Sequence, residues 1–247
     1  AGIDMGTQSM KVVLYDYENK KTVESSSCPI DLISENDGTR EQKTEWYKNA
    51  MEVCFSKLSK EGKATIQALG VSGHQHGFVP LDKEGNALYN VKLWNDTSTV
   101  EECKIITDAL GGNENAVKEV QNYILPGFTA PKILWLKRHK PELFAKLNYI
   151  MLPHDYLNYV LTGEYVMEQG DSSGTALFNS IKKEWSKKVC DIIDEGLLAK
   201  LPKFVANDEP AGKVSAATAE WLGIPAGVPV SSGGGDNMMS AIGTGVV

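Results

Sequence analysis

The sequence has little of what marks secreted, zinc-binding and membrane proteins. No apolar run approaches the roughly 20 residues of a membrane span, and the first residues lack the basic-then-apolar pattern of a signal peptide. The few cysteines form no CxxC pair, which favours reduced thiols over a disulfide framework or a zinc site. We therefore expect a cytoplasmic protein without a membrane segment. The cysteines are Cys28, Cys54, Cys103 and Cys190.

Long basic stretches are also absent, which argues against a nucleic-acid partner. The chain carries 25 Lys and Arg residues against 32 Asp and Glu residues, a net charge of −7. Its 42% hydrophobic and 23% charged residues are ordinary for a globular protein. A length of 247 residues is enough to bury a substantial core. The composition thus indicates a globular protein and argues against a nucleic-acid partner, but it does not distinguish further between functions.

Local patterns predict a mixed α/β domain. Residues 1–5 and 11–15 are typical of two strands joined by a tight polar loop, with Gly6 expected at positive φ. Residues 22–27 are a candidate third antiparallel strand, and residues 66–71 a buried strand. The middle of the chain is mostly helical. Because no repeat or linker interrupts it, we expect one domain with helical insertions.

Helix boundaries are predicted from caps and apolar spacing. One helix should begin at residues 43–45, after a polar loop at 33–40. Another should begin after Thr97 or Ser98, either of which could cap it. A polar turn at 170–175 could face a cleft, with Asp171 as a cap or turn residue. The first helix has a predicted apolar face, formed by Trp46, Met51, Val53, Cys54 and Leu58.

A glycine turn near residue 235 is the most informative stretch. Gly233, Gly234 and Gly235 follow an apolar strand and precede the first turns of a helix. Glycine lets a ligand approach the backbone closely, so such a turn is suited to bind an anion. Asp236 stands directly in the turn, where a carboxylate can act as a general base or hold a metal ion. The alternative is that Asp236 is an ordinary helix cap.

A second candidate loop follows the first strand. Asp4 precedes Gly6, Thr7 and Gln8 in a D-x-G-T pattern. Such a loop can bind phosphate oxygens through its backbone N–H groups while the carboxylate holds a hydrated magnesium ion. A surface turn of the same composition needs no function, so the residues alone leave both interpretations open.

A third polar loop contains two of the histidines. His74, Gln75 and His76 lie between Gly73 and Gly77. A His-x-His pair can bind a metal, but no third ligand of suitable spacing is evident. Binding of a small hydroxylated ligand is better supported, because His and Gln offer both donors and acceptors. A purely structural turn is the remaining alternative.

These motifs occur in one order along the chain, together with three further runs. The complete set is Gly2-Ile3-Asp4-Met5-Gly6-Thr7-Gln8-Ser9, Gly73-His74-Gln75-His76-Gly77, Leu93-Trp94-Asn95-Asp96, Pro126-Gly127-Phe128-Thr129-Ala130-Pro131-Lys132, Leu152-Pro153-His154-Asp155-Tyr156-Leu157 and Gly233-Gly234-Gly235-Asp236-Asn237. As a set they resemble the N-terminal half of the FGGY carbohydrate kinases, and they favour the xylulokinase branch. The resemblance covers essentially the whole chain. It implies an actin/hexokinase-like ATPase domain: a ribonuclease-H-like mixed β-sheet flanked by helices, with helical insertions.

The resemblance also implies a reaction: ATP- and Mg²⁺-dependent phosphorylation of a ketopentose, with D-xylulose as the expected sugar. Asp236 matches the family's catalytic base, and Asp4 matches the catalytic carboxylate that organises Mg²⁺ through water. ATP phosphate contacts are implied for Gly6, Thr7 and Gln8, and sugar contacts for Gln75, His76, Trp94 and Asn237. The implied partners are a small-molecule sugar and ATP, and a homodimer is left open.

Three departures from the family pattern bear on this reading. His74 stands where the family usually has Gln, and Ser98 where many members have Arg, so either could change the accepted sugar. Family members are also longer, so we expect residues 1–247 to be the sugar-binding domain of a trimmed chain. The second, nucleotide-binding domain is then missing, and this domain alone should transfer phosphate poorly.

Other functions remain open at this point. Kinases of the same family act on gluconate, L-xylulose, deoxy sugars or signalling carbohydrates. A catalytically silent sugar-binding module is an alternative from another class, but it has no need of both Asp4 and Asp236. An actin-like filament protein is a third alternative, against which the sugar-loop residues Gln75, His76 and Trp94 argue.

Overall fold

The computed structural model describes residues 1–206 and 208–246. The strands are β1 (Gly2–Met5), β2 (Ser9–Asp16), β3 (Lys21–Pro29), β4 (Ile33–Ser34), β5 (Arg40–Gln42), β6 (Gly70–Gly73), β7 (Val79–Leu81), β8 (Val91–Lys92), β9 (Tyr149–Met151), β10 (Val166–Met167), β11 (Phe178–Asn179), β12 (Glu184–Trp185), β13 (Lys203–Phe204), β14 (Pro210–Lys213), β15 (Pro229–Ser231) and β16 (Gly234–Gly235). The helices are α1 (Thr44–Ser56), α2 (Lys60–Ala64), α3 (Val100–Leu110), α4 (Asn113–Val120), α5 (Thr129–His139), α6 (Pro141–Phe144), α7 (Pro153–Thr162), α8 (Gln169–Ser172), α9 (Lys187–Ile193), α10 (Ala216–Leu222) and α11 (Asp236–Gly243), with 3₁₀ turns at Ser173–Thr175 and Leu197–Lys200.

The centre of the fold is a five-stranded mixed sheet with the strand order β16-β6-β1-β2-β3. β1, β2 and β3 form an antiparallel meander, whereas β6 and β16 run parallel to β1. The predicted antiparallel start of the chain is therefore confirmed. The turn after β2 is stabilised by Asp16, whose Oδ1 accepts hydrogen bonds from the N–H groups of Glu18 and Asn19 at 3.1 and 3.0 Å.

The register of the parallel strands determines which loops meet. Gly73 of β6 pairs with Met5 of β1 on one side and with Gly235 of β16 on the other. Because these strands are parallel, the segments that follow them leave the sheet at the same edge, where ligands of open α/β sheets bind. Those segments are the three candidate loops found in the sequence. A single edge of the sheet therefore collects all of them.

β1 has the alternation of a strand with one covered face. Ile3 and Met5 are buried, whereas Gly2 and Asp4 are exposed. The buried side chains belong to a core between the sheet and helices α1, α7 and α10. The two-residue period that buries Met5 thus turns the Asp4 carboxylate to the open side.

A second apolar core lies among helices α3, α4, α5 and α9. Ile106, Ile133 and Cys190 are fully buried in it. These helices are the insertions expected from the sequence. All four cysteines are free thiols, as predicted. Across residues 1–206 and 208–246, no helix combines the length and the apolarity needed to cross a bilayer.

Three local predictions were wrong in whole or in part. The expected loop at 33–40 contains β4 and the start of β5, which pairs with β8. Helix α3 is capped by neither Thr97 nor Ser98: its N-cap is Thr99, whose Oγ1 donates to the carbonyl of Pro126 at 3.1 Å. In α1 the buried residues are Thr44, Tyr47, Ala50, Met51, Cys54 and Phe55. Of the predicted face, Met51 and Cys54 are confirmed and Leu58 is buried just after the helix, whereas Val53 is exposed and Trp46 is only partly buried.

Gly6 also differs from expectation, since its φ is not positive. The Gly6 N–H donates to the Ser9 carbonyl at 3.0 Å and closes the turn in an ordinary conformation. In the glycine turn, by contrast, Gly233 has φ 71°. A Cβ on Gly233 would run into the carbonyl oxygen of Val71 in the neighbouring strand. The left-handed residue that the site requires is therefore Gly233 rather than Gly6.

Candidate active site

Asp236 begins helix α11 directly after β16. Its Oδ1 accepts a hydrogen bond of 2.9 Å from the adjacent Asn237 N–H, and the N-cap residue is Gly235, without a side-chain cap bond. The helix-cap interpretation is therefore wrong. Burial raises the pKa of Asp236, and the negative charges of Asp4 and Asp171 raise it further. A carboxylate with a raised pKa is a better proton acceptor, as a general base requires.

Asp4 lies two strands away on the same face of the sheet. Ser72 pairs with Asp4 in β1 and with Gly234 in β16, and its Oγ donates to Asp4 Oδ1 at 3.1 Å. Adjacent strands lie about 4.8 Å apart, so β1 and β16 are separated by about 10 Å. A separation of this size between the two strands leaves space for a hydroxyl group and a phosphoryl group at the edge where Asp4 and Asp236 lie.

The loop after Asp4 offers backbone donors. The Gly6 N–H is used by Ser9, whereas the N–H groups of Thr7 and Gln8 have no backbone acceptor within the described part of the chain. The Thr7 carbonyl accepts a hydrogen bond of 2.7 Å from Gln42 Nε2, which fixes the loop. Thr7 and Gln8 can therefore donate to an anion, while Gly6 contributes close approach rather than a hydrogen bond.

The loop of residues 73–77 and the segment after the glycine turn are joined by a hydrogen bond between two side chains. Asn237 Nδ2 donates to Gln75 Oε1 at 3.0 Å. Gly235 provides the space for this contact, because a Cβ there would lie 2.5 Å from Gln75 Nε2. Gln75 and Asn237, two predicted sugar contacts, are thus brought together beside Asp236.

His76 has a left-handed backbone, with φ 61°. Its carbonyl oxygen accepts hydrogen bonds from Lys132 Nζ at 2.8 Å and from Thr129 Oγ1 at 3.2 Å. Its half-buried ring packs edge-on against Phe128, with the ring centroids 4.8 Å apart. Burial lowers the pKa of His76, so the imidazole is neutral and offers both a donor and an acceptor.

Trp94 is half exposed and contacts the phosphate-binding candidate loop. Its Nε1 donates to Thr7 Oγ1 at 3.0 Å, so a predicted sugar contact and a predicted phosphate contact are directly bonded. Nearby, the buried Lys92 Nζ lies 3.2 Å from Asp96 Oδ2 and donates to Ser98 Oγ at 2.8 Å. A positive charge therefore exists next to Ser98 although the Arg of the family pattern is missing.

His74 does not line the cleft. It is 2% exposed, and its Nε2 lies 3.4 Å from the hydroxyl of Tyr47. Burial is the main cause that lowers the pKa of His74 to about 3. The Tyr47 hydroxyl also donates to Gln42 at 3.0 Å, and Gln42 bonds the Thr7 carbonyl. His74 can thus influence a sugar only through the position of its loop.

A buried charged cluster beside the site was missed by the sequence analysis. The ring nitrogens of His154 lie 3.0 Å from Asp155 Oδ1 and 3.2 Å from Asp171 Oδ2, which are ion-pair distances without hydrogen-bond angles. Burial alone would lower the pKa of His154, but the two carboxylates outweigh it and raise the pKa well above the usual value. Asp171 is therefore no cap; Glu168 caps that turn.

Lys132 was also missed, although it belongs to a motif that carried the resemblance. Its side chain is fully buried. A lysine in a helix normally indicates a solvent-facing position. Sequence spacing cannot show that the amine points inward to loop carbonyls.

Comparison with known proteins gives one consistent result. The model of the N-terminal domain of the FGGY family of carbohydrate kinases matches residues 1–243. The xylulose kinase of Haemophilus influenzae is 38% identical over 253 residues, which cover 99% of this chain and 51% of that protein.

Solved structures agree with the predicted fold. A Brucella ovis protein described as a xyloylose kinase superposes with a TM-score of 0.90 at 32% identity, covering 98% of this chain and 49% of that one. The gluconate kinase of Lactobacillus acidophilus superposes with a TM-score of 0.86 at 26% identity, covering 98% of this chain and 49% of that one. The actin/hexokinase-like α/β fold is confirmed. The chain spans about half the length of the relatives it matches.

Proposed function

The chain belongs to the FGGY family of carbohydrate kinases, and on that premise we propose that the full-length protein transfers a phosphoryl group from ATP to a ketopentose, with D-xylulose as the acceptor. The observation that carries the proposal is the pair of carboxylates at one sheet edge. Asp4 lies in β1 and Asp236 directly follows β16, and the strand β6 between them pairs with both. Gln75 and Asn237 supply amide groups beside Asp236.

Asp236 acts as the general base in this proposal. It accepts the proton of the sugar hydroxyl as the oxygen of that hydroxyl bonds to the γ-phosphorus, and the bond from phosphorus to the bridging oxygen of ADP breaks. The raised pKa of Asp236, caused first by burial, suits this role. The base need not be strong, because phosphoryl transfer depends mainly on alignment and on neutralising charge.

The donors near Asp4 fit magnesium and phosphate. Asp4 is exposed, and within the described residues one oxygen of its carboxylate accepts a hydrogen bond from Ser72. No group of three or more His, Cys, Asp or Glu side chains forms a metal cage in this part of the chain. Mg²⁺ typically takes one or two carboxylates and keeps its waters and substrate phosphates. Mg²⁺ held there would neutralise phosphate charge, while the Thr7 and Gln8 N–H groups bind phosphate oxygens.

The charges around the cleft favour a neutral sugar over a sugar acid. The proposed sugar contacts Gln75, His76, Trp94 and Asn237 carry no positive charge, since burial lowers the pKa of His76. Lys92 and Lys132, which contact these loops, are buried. A gluconate carboxylate would thus enter a cleft that already holds the carboxylates of Asp4 and Asp236, at an electrostatic cost. The relatives described as xylulose kinases support D-xylulose as the substrate.

The test is an ADP-release assay on the full-length protein with D-xylulose, L-xylulose, gluconate and glycerol as acceptors. We expect a kcat/KM for D-xylulose that exceeds the others by at least about tenfold, the ratio that a few altered pocket contacts provide. A preference for another acceptor would move the assignment to another kinase of the family. Absence of turnover with every acceptor, in folded protein that binds a sugar, would favour the silent sugar-binding module.

A further inference from the structure

Lys132 is a buried lysine that no carboxylate pairs with in the described part of the chain. It is 0% exposed, and its Nζ donates to two carbonyl oxygens, of His76 at 2.8 Å and of Gly127 at 2.6 Å. Burying an amine without a counter-charge costs free energy. A residue kept at such a cost is expected to contribute something that an apolar side chain of the same size cannot.

The first carbonyl belongs to a residue with an unfavourable backbone. A left-handed conformation costs a residue other than glycine about 1–2 kcal/mol, and His76 adopts it with φ 61°. Such a conformation persists only where the surroundings hold it. Two donors from helix α5, Lys132 Nζ and Thr129 Oγ1, bond the His76 carbonyl. They fix the peptide and with it the direction of the imidazole.

The second carbonyl belongs to Gly127, in the loop before α5. This loop packs directly against the backbone of Trp94, because a Cβ on Gly127 would be 2.5 Å from the Trp94 carbonyl oxygen. The adjacent Phe128 packs against the His76 ring. One buried nitrogen therefore bonds the loop of His76 and the Gly127 loop that packs against the Trp94 backbone, so it links the two walls that carry His76 and Trp94.

We propose that Lys132 is a positioning residue for sugar binding: by bonding the His76 and Gly127 carbonyls from one nitrogen, it sets the distance between the His76 and Trp94 walls. This inference rests on the proposed function for the identity of the ligand. The positioning of the His76 carbonyl by Lys132 does not depend on that function.

The chemistry of the amine agrees with this role. Burial, the largest cause, lowers the pKa of Lys132 to about 7, with Lys92 lowering it and Asp96 and Cys103 raising it. A neutral amine has two N–H groups, the number of carbonyls that Lys132 bonds. Both hydrogen bonds are thus retained when the proton is lost, and the link works on either side of neutral pH.

The kinetic test uses the full-length protein with Lys132→Met, which keeps the length of the side chain and removes the donors. We expect the KM for the sugar to rise about tenfold or more, the effect of two lost hydrogen bonds, with kcat and the KM for ATP changed by less than about threefold. Lys137→Met is the matched control, because Lys137 lies on the same helix and bonds Ile193 and Asp194 instead. An unchanged sugar KM would overturn the proposal.

A second variant covers the case in which Lys132→Met does not fold. Thr129→Val removes the other donor to the His76 carbonyl and preserves the shape of the side chain. We expect a smaller rise in the sugar KM, about threefold. Where both variants fold, the double variant should show less than the product of the single effects, because both donors act on one carbonyl. Independent, multiplicative effects would contradict a shared carbonyl.

An activity-independent readout separates this inference from the proposed function. His76-Gly77 is the single His-Gly pair in the sequence, so ¹³C-carbonyl His with ¹⁵N Gly labelling gives an NMR signal for the His76 carbonyl. We expect this signal to move in Lys132→Met and Thr129→Val and to stay in place in Lys137→Met. If no sugar is phosphorylated but the signal moves, the proposed function fails and the positioning stands. An unmoved signal overturns the positioning whatever the activity.

Discussion

The amide nitrogen of Asn237 donates a 3.0 Å hydrogen bond to the amide oxygen of Gln75, across 162 residues of sequence. This bond defines how each amide is oriented. Gln75 uses its oxygen as the acceptor, which leaves its two N–H groups for another partner, whereas the Asn237 oxygen takes no part in this bond. The site thus offers a donor and an acceptor side by side next to Asp236, as adjacent hydroxyl groups of a sugar require.

Breaking this pair should weaken sugar binding more than it weakens transfer. Gln75→Ala and Asn237→Ala are each expected to raise the sugar Kd about fivefold to tenfold, the value of one neutral hydrogen bond. The double variant should show a coupling of about 1 kcal/mol, because either single change already disorders the other amide. Calorimetric titration with the sugar gives the Kd of the wild type, of each single variant and of the double variant. Strictly additive losses would show that the two amides act separately.

Replacing the proposed base should abolish transfer and spare binding. Asp236→Asn keeps the shape of the side chain and removes the proton acceptor, so kcat should fall about 10²- to 10⁴-fold. The sugar Kd should change by less than about threefold, because the ground-state contacts remain. Asp108→Asn, an exposed carboxylate beside Lys104 on α3, is the control. Near-normal turnover by Asp236→Asn would show that Asp236 is not the general base.

Asp4 should govern the response to magnesium. With Asp4→Asn we expect the Mg²⁺ concentration for half-maximal activity to rise about tenfold or more, since a hard divalent cation loses a charged oxygen ligand. Sugar binding without nucleotide should be unaffected. Ser72→Ala removes the 3.1 Å hydrogen bond to Asp4 Oδ1 and should give a smaller shift. An unchanged magnesium titration would leave Asp4 as a turn residue.

The glycine turn can be tested by comparing two left-handed glycines. Gly233 and Gly227 have φ 71° and 76°, so alanine at either position should cost about 1 kcal/mol for the backbone alone. A Cβ on Gly227 meets nothing within 4 Å, whereas one on Gly233 meets the Val71 carbonyl. We therefore expect Gly233→Ala to lose at least about 2 kcal/mol more in urea unfolding. Equal losses would show that the strand contact adjusts without cost.

Lys132 should make stability depend on pH in a predictable direction. Its folded pKa of about 7 lies below the ordinary 10.5, so between these values the unfolded chain binds the additional proton. The free energy of unfolding should therefore rise with pH over this range, by up to about 1.4 kcal/mol per pH unit. The difference between the wild type and Lys132→Met in urea unfolding at pH 7, 8 and 9 isolates this effect. A constant difference would contradict the lowered pKa.

The sequence was a sufficient guide where function depends on local order along the chain. The strand before Asp4, the strand before His74 and the turn before Asp236 are each marked by apolar runs and glycines. Their assembly at one edge is a result of the structure, because only the register shows that β1, β6 and β16 are parallel neighbours. The residue roles themselves stay predictions.

What the sequence could not indicate are contacts between distant segments. Thr99 was not among the predicted caps of α3, and its hydroxyl bonds the carbonyl of Pro126, 27 residues away. Asp171 was taken for a cap or turn residue, yet its carboxylate faces His154 in a buried cluster. Lys132 was given no role beyond its place in one of the motifs, since nothing in a helical period indicates that an amine bonds loop carbonyls. In each case a polar residue meets a partner that only the folded chain brings close.

The sheet register also has a consequence for the order in which the molecule folds. Ser72 and Asp4 are 68 residues apart, and Asn237 and Gln75 are 162 apart. Contacts of such separation form after local ones, because closing a long loop loses chain entropy before any contact is gained. β16 has two residues and pairs with β6, so it docks onto a sheet that is already assembled. This edge of the sheet is then completed late, and the carboxylate of Asp236 cannot join Asp4 there on a ribosome-bound chain until residue 236 has emerged.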